Sequence, residues 1–174
     1  TPYLMDAAYG EPSIAYIGSV SRHDSLMIDL GRKLPLNEVH LHAVDQSDTV
    51  PQAYAGNVGV PATLLIEGAS TPGFADATTL LELDFESITD PGPVMMWPFP
   101  ESDCRYVRVQ CPDQTTASRF GFAEIELFSK GENAALNRPV LAEEREVLEL
   151  EPKKRSLASL TDGRNLYGAL LPIR

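Results

Sequence analysis

Cysteine is nearly absent: Cys104 and Cys111 are the only two in 174 residues. They bracket CRYVRVQC, a run that alternates like a β-strand. Such a strand separates its ends by roughly 23 Å, whereas a disulfide needs Cα atoms within about 7 Å. The two are therefore expected to be thiols, at least one of them buried. There is no CxxC and no nearby His in sequence, which argues against a cysteine metal site or a Cys/His nucleophile.

Basic residues are scarce too. Lys and Arg number 14 against 25 Asp and Glu, for a net charge of -11 and a pI near 4.6. That excludes a nucleic-acid binder, whose phosphates demand Lys/Arg patches. It also excludes charge-driven binding to anionic membrane surfaces. An acidic chain suits a neutral sugar, a cation or a basic partner, although acidity alone commonly serves solubility. No apolar run approaches the ~18–20 residues of a membrane span, and no signal peptide is visible. The chain opens at Thr1 and reads as an excised piece from which an upstream signal could have been removed. GxSxG, HExxH, P-loop and GxGxxG motifs are all missing. Paired carboxylates for glycoside cleavage are defined by a separation of ~5–9 Å in space, not by spacing in sequence. The expectation is a protein without catalytic activity.

What is present is a β pattern. Hydrophobic residues make up 43%, enough for a core, and the 14 Pro and 12 Gly cluster between short apolar runs. Predicted strands are Ser13–Val20, Ser25–Leu30 closed by Gly31, Leu36–Val44, Pro61–Ala69, Thr78–Phe85, Val94–Phe99, Cys104–Cys111 and Arg119–Phe128. Their spacing of roughly 8–12 residues, with turn signals between, indicates an all-β sandwich or barrel. The stretch from Asp45 to Val60 reads as a long loop, of the kind that is usually functional or disordered. Ala142–Leu150 reads equally as helix or strand.

Several of these runs, in order, resemble discoidin (F5/8 type C) domains. SLMIDLG at Ser25–Gly31 followed by LNEVHLHAV is similar to that family's Asp-Leu-Gly strand and its successor. CRYVRVQC is similar to its penultimate strand, and FGFAEIELF at Phe120–Phe128 to its closing strand. PATLLIEGAS with STPGF is similar to the central strand and turn. The resemblance covers residues 13 to 128. It implies an antiparallel jelly-roll β-sandwich of the galactose-binding-like kind. It further implies a non-catalytic binding module of a larger extracytoplasmic or secreted protein, recognising carbohydrate through loops at one end. The alternative is a structural or protein-interaction domain of the same fold with no small ligand. Expected partners are a glycan or a protein surface and other domains of the same polypeptide.

Two departures stand out. Leu26 occupies the place of the family's usual aromatic before Asp-Leu-Gly, and no Asp-Gly occurs in the 24 residues before Ser25. Instead, NAALNRPV at Asn133–Val140 resembles the family's opening, and SLTDGRN at Ser159–Asn165 its Ca²⁺ loop. Residues 1–131 are thus expected to be the discoidin-like sandwich. Residues 132–174 either begin a second, tandem domain or add strands that complete the first.

The resemblance implies a structural Ca²⁺ ligated by Glu124, and by Asp162 if the second arrangement holds; otherwise Glu124 is a solvated strand residue and Asp162 a turn former. For a glycan, polar loop groups and an aromatic platform are needed, and the available groups are Arg22, His23, Asp24, Tyr54 and Trp97. Trp97 in its proline-flanked stretch reads as exposed platform or as core. Arg105 and Arg108 read as site arginines or as strand partners of acids. His40 and His42, two apart on one strand face, read as a solvent-facing surface, or as two Zn²⁺ ligands if His23 or a loop Asp supplies a third.

Overall fold

The computed structural model describes residues 16–17, 25–43, 58–59, 63–84, 94–110, 112, 119–142, 157–165 and 168–170. Eleven strands are found among them: β1 (Tyr16–Ile17), β2 (Ser25–Ala43), β3 (Val58–Gly59), β4 (Thr63–Ala69), β5 (Thr78–Asp84), β6 (Val94–Gln110), β7 (Arg119–Ser129), β8 (Glu132–Asn133), β9 (Val140–Ala142), β10 (Arg164–Asn165) and β11 (Gly168–Ala169). One 3₁₀ turn, Leu157–Leu160, precedes β10. No helix of the described residues is long and apolar enough to cross a membrane.

Two strands make the architecture. β2 and β6 pair antiparallel from Ser25↔Gln110 to His42↔Val94 and bend together. Their first stretch, with β9, β4 and β5, forms one layer in the order β9-β2-β6-β4-β5. Their other stretch, with β7 and β1, forms the opposite layer in the order β6-β2-β7-β1. β8 extends β7 antiparallel, and β3 pairs with β7 in parallel. The layers face each other through one apolar cluster. Leu26 and Ile28, Leu64 and Ile66, and Val107 and Val109 come from the first layer; Val39, Leu41, Ile125 and Leu127 come from the second. All ten are buried, as period-2 alternation dictates. Each such side chain contributes roughly 1.5–3 kcal/mol of burial.

The Asp-Leu-Gly run makes the bend. The β2–β6 register slips between Asp29 and Leu34. Asp29 Oδ1 accepts the Gly31 N–H at 2.8 Å, and Gly31 sits at φ +80, where a Cβ is disfavoured. Leu30 turns into the core. Arg105 sits opposite the slip and clamps it: Nε and Nη2 donate to the two Asp29 oxygens at 2.9 and 3.0 Å. This bidentate pairing, led by the Arg105 hydrogen bond and opposed by burial, lowers the Asp29 pKa from its ordinary value. Arg105 is therefore a strand partner of an acid. So is Arg108, which donates to Glu67 Oε2 at 2.7 and 3.0 Å and stacks on Phe74, 4.4 Å from the ring centroid.

Two sequence expectations are corrected here. Ser25–Leu30 and Leu36–Val44 were expected as separate strands; over the described residues they form the single β2. Val94–Phe99 and Cys104–Cys111 likewise merge into β6, which runs through Pro98 and Pro100. That half of β6 is bonded only to β2 among the described strands, and an edge position tolerates the missing N–H. Cys104 is a free buried thiol, pushed up to about 11 by burial. Cys111 and the segment Ala142–Leu150 beyond Ala142 lie outside the described residues.

Candidate functional site

The clearest constellation grows from β7. Glu124 lies between Ala123 and Ile125 on this strand and is buried completely. The expectation of a solvated strand residue is thereby overturned, because residues 157–165 lie against β7 and exclude water. Leu160 is fully buried beneath them. The loop is stitched in place by its backbone: the Asn137 N–H donates to Thr161 O at 2.6 Å, and Thr161 Oγ1 donates to Arg138 O at 2.8 Å. Asp162 Oδ1 accepts the Arg164 N–H at 2.9 Å, an Asx turn. Gly163, at φ +77, aims its N–H at Glu124 Oε1 over 3.0 Å.

The structure thus brings Glu124 and Asp162 together. Glu124 Oε2 is buried with no hydrogen-bond partner among the described residues. Desolvation pushes the Glu124 carboxyl up to about 9; the Gly163 N–H opposes this, and the charges of Asp162 and Glu126 and a carboxyl–carboxylate hydrogen bond with Asp162 add to it. Asp162 is raised as well, again chiefly by burial. A buried carboxylate with an orphan oxygen beside a second acid is costly unless a proton or a cation neutralises it. A hard oxygen-seeking cation fits this donor chemistry. The two carboxyls would be only part of its shell, since no group of three or more His, Cys, Asp or Glu among the described residues is arranged around a metal.

His40 and His42 stand on the same outer face, and their solvent-facing reading is also corrected. Both are buried, with exposures of 5% and 4%. His40 Nε2 bonds Glu38 Oε1 at 2.6 Å, and its Nδ1 lies 3.4 Å from Glu126 Oε2. His42 Nε2 reaches the same Glu126 oxygen at 2.9 Å. Carboxylates occupy these ring nitrogens. The proposed third zinc ligand, His23, lies outside the described residues. The His-x-His spacing signalled this face, but the Glu126 partner was not recognised in the sequence.

A polar cavity of about 300 Å³ opens at the other side of the bend, where β4 turns toward β5. Lys33, Ser70, Asp76, Thr78 and Asp103 line it, with Leu80 among its apolar groups. Asp76 shapes this turn by accepting the Ser70 N–H at 2.9 Å and the Thr71 hydroxyl at 3.1 Å. These bonds, the Ser70 N–H first, bring its pKa to about 2. None of these residues was singled out from sequence. Of those that were, Arg22, His23, Asp24 and Tyr54 lie outside the described residues. Trp97, on β6, pairs with Val39 of β2 and packs half-buried against the core. Its indole N–H is buried without a partner among the described residues.

No protein-family model and no curated protein matches the sequence. Solved structures do. A selenomethionine-labelled mutant of chitosan-binding module 1, from the chitosanase/glucanase of Paenibacillus sp. IK-5, matches with a TM-score of 0.50 and 15% identity over 66% of this chain and 75% of that one. Another crystal structure of that module gives 0.49 at 16% identity, over 66% and 76%. The lectin domain of lectinolysin, complexed with Lewis B antigen, gives 0.49 at 16%, over 67% and 72%. At this identity the likeness speaks for the fold, and the fold is the discoidin-like, galactose-binding-like jelly roll expected from the ordered strand motifs.

Proposed function

We propose that this chain is a non-catalytic carbohydrate-binding module of a larger extracytoplasmic protein, taking a saccharide unit into the cavity lined by Lys33, Ser70, Asp76 and Asp103. The observation that carries the reading is that cavity. It holds about 300 Å³ and is rimmed by hydroxyl, carboxylate and ammonium groups. A sugar ring presents hydroxyls that such groups bind and C–H faces that Leu80 can meet. The volume is at the lower end for small-ligand sites. The shared fold with a chitosan-binding module supports the ligand class. Titration calorimetry against a panel of oligosaccharides tests it. At least one should bind, and Asp103→Ala should weaken that binding tenfold or more with unchanged melting temperature. Silence across the panel together with tight binding to a protein would replace this reading with the interaction-domain alternative.

In the same reading, Glu124 and Asp162 hold a Ca²⁺, which when bound supplies the positive charge that two buried carboxyls need. The described residues between 132 and 170 belong to the same sandwich as those before them, and three observations support that. β9 pairs with β2, Leu160 joins the core, and the Gly163 N–H bonds Glu124. A chain ending at Gly131 is expected to lose its cooperative thermal transition.

A further inference from the structure

A second cavity, of about 420 Å³, lies where the β2 bend meets the β7–β8 hairpin. Its chemistry is opposite to that of the whole molecule. Arg32, Lys130 and Arg138 line it against a single acid, Glu132, on a chain of net charge -11. None of the three cations is within 4 Å of a carboxylate among the described residues, whereas Arg105 and Arg108 are both paired. Cations without a carboxylate partner among the described residues, converging on a hollow, are placed to receive an anion from outside.

The local structure holds two of them in position. Lys130 and Gly131, at φ 52 and 80, form the two-residue loop joining the paired Ser129 and Glu132, the backbone of a type I′ turn. Arg138 is fixed at its backbone, its N–H donating to Ala135 O at 2.9 Å and its carbonyl accepting the Thr161 hydroxyl. Its guanidinium lies over Gly31: a Cβ there would come 2.8 Å from Nη1. Asp29, the acid whose pKa Arg138 also lowers, already has both oxygens bonded to Arg105. The Arg138 fork therefore remains available for a bidentate partner. Leu34 and Leu136 add apolar wall to the cavity, Leu136 being 46% exposed. Acidic groups above and apolar carbon below is the surface of an acidic sugar. Arg32 and Leu34 line this cavity while the intervening Lys33 lines the first, so one strand segment serves both.

We propose that Arg32, Lys130 and Arg138 form a subsite for the carboxylate or sulfate ester of an anionic saccharide. This rests on the carbohydrate reading and specifies its ligand. The test compares a chondroitin sulfate oligosaccharide, a hyaluronan oligosaccharide, a carboxyl-reduced neutral counterpart and sodium sulfate. Calorimetry at two salt concentrations is combined with amide chemical shifts of the intact chain. An acid-bearing oligosaccharide should bind at least tenfold tighter than the neutral one, and raising NaCl should erode the difference. Arg32→Ala with Lys130→Ala, both exposed positions, should abolish the preference without moving the melting temperature. Asp103→Ala should leave the preference in place. Equal affinity for acidic and neutral sugars sinks the subsite and spares the module. Binding by none of these saccharides overturns the subsite, and the module reading falls with it only if the wider oligosaccharide panel is silent as well.

Discussion

Replacing Glu124 with glutamine keeps the shape of a protonated carboxyl and removes its ability to ionise. The folded protein holds the Glu124 proton up to a pH of about 9, whereas an unfolded chain releases it near the ordinary value of 4.5. Between those values the unfolded state binds fewer protons, so stability must fall as pH rises, and it is fully present below the lower one. One site can contribute at most about 1.4 kcal/mol per pH unit. From pH 6 to pH 8 in chelator, the wild type should therefore lose up to ~3 kcal/mol relative to Glu124→Gln. Urea unfolding at half-unit pH intervals, plotted as the difference between the two proteins, cancels the background from other groups. Added Ca²⁺ should reverse the order. The wild type gains ~2.7 kcal/mol at a hundredfold excess over Kd, and the glutamine variant little. A flat difference curve in chelator would refute the burial argument. A Ca²⁺ response of equal size in both proteins would refute the assignment of Glu124 as ligand.

Other expectations follow from packing and pairing. Gly68→Ala should destabilise by about 1–3 kcal/mol, since its Cβ would meet Cys104 Sγ at 2.9 Å and Leu80 Cδ1 at 3.2 Å. Adding Cys104→Ala should restore part of this in a double-mutant cycle, and strict additivity would contradict the contact. Arg105→Ala should destabilise the fold modestly, the Arg105 side chain being 40% exposed. Asp29 stabilises the wild type above its unfolded pKa and less as pH falls, so the variant's deficit should shrink in acid; a deficit constant down to pH 2 would count against the clamp. Ile125→Ala should cost 2–5 kcal/mol by chemical denaturation. Cys104 should resist iodoacetamide at pH 8 until denaturant is added; rapid labelling of Cys104 in the native protein, located by peptide mass mapping, would contradict its raised pKa.

Much of the fold was legible because alternation survives wherever one face of a strand is buried. Leu26/Ile28, Val107/Val109 and Ile125/Leu127 alternate in the sequence with residues of the opposite face, and all six are buried. The continuity of β2 and β6 was not legible. GRKLP interrupts the period at the bend, and Pro98 and Pro100 read as breaks rather than as an edge. The burial of Glu124 was hidden for a different reason. Alternation tells which way a side chain points, not what arrives from farther along the chain to cover it, and here that is residues 157–165. His40 and His42 show the same limit: their shared face was evident, their enclosure was not. The two cavities were invisible because each draws on segments far apart in sequence, joined only by the bend.

That bend also bears on how the molecule assembles. Because β2 and β6 run through both layers, neither layer has a complete set of strands of its own. No half-sandwich can form first and wait for the other. The distant pairing from Ser25↔Gln110 to His42↔Val94 must close before either layer is finished, and such long closures make for slow folding. Once closed, the ribbon ties the layers into one opening unit. Slowly exchanging amides on β4 and β7, in opposite layers, should then release their protons together rather than layer by layer.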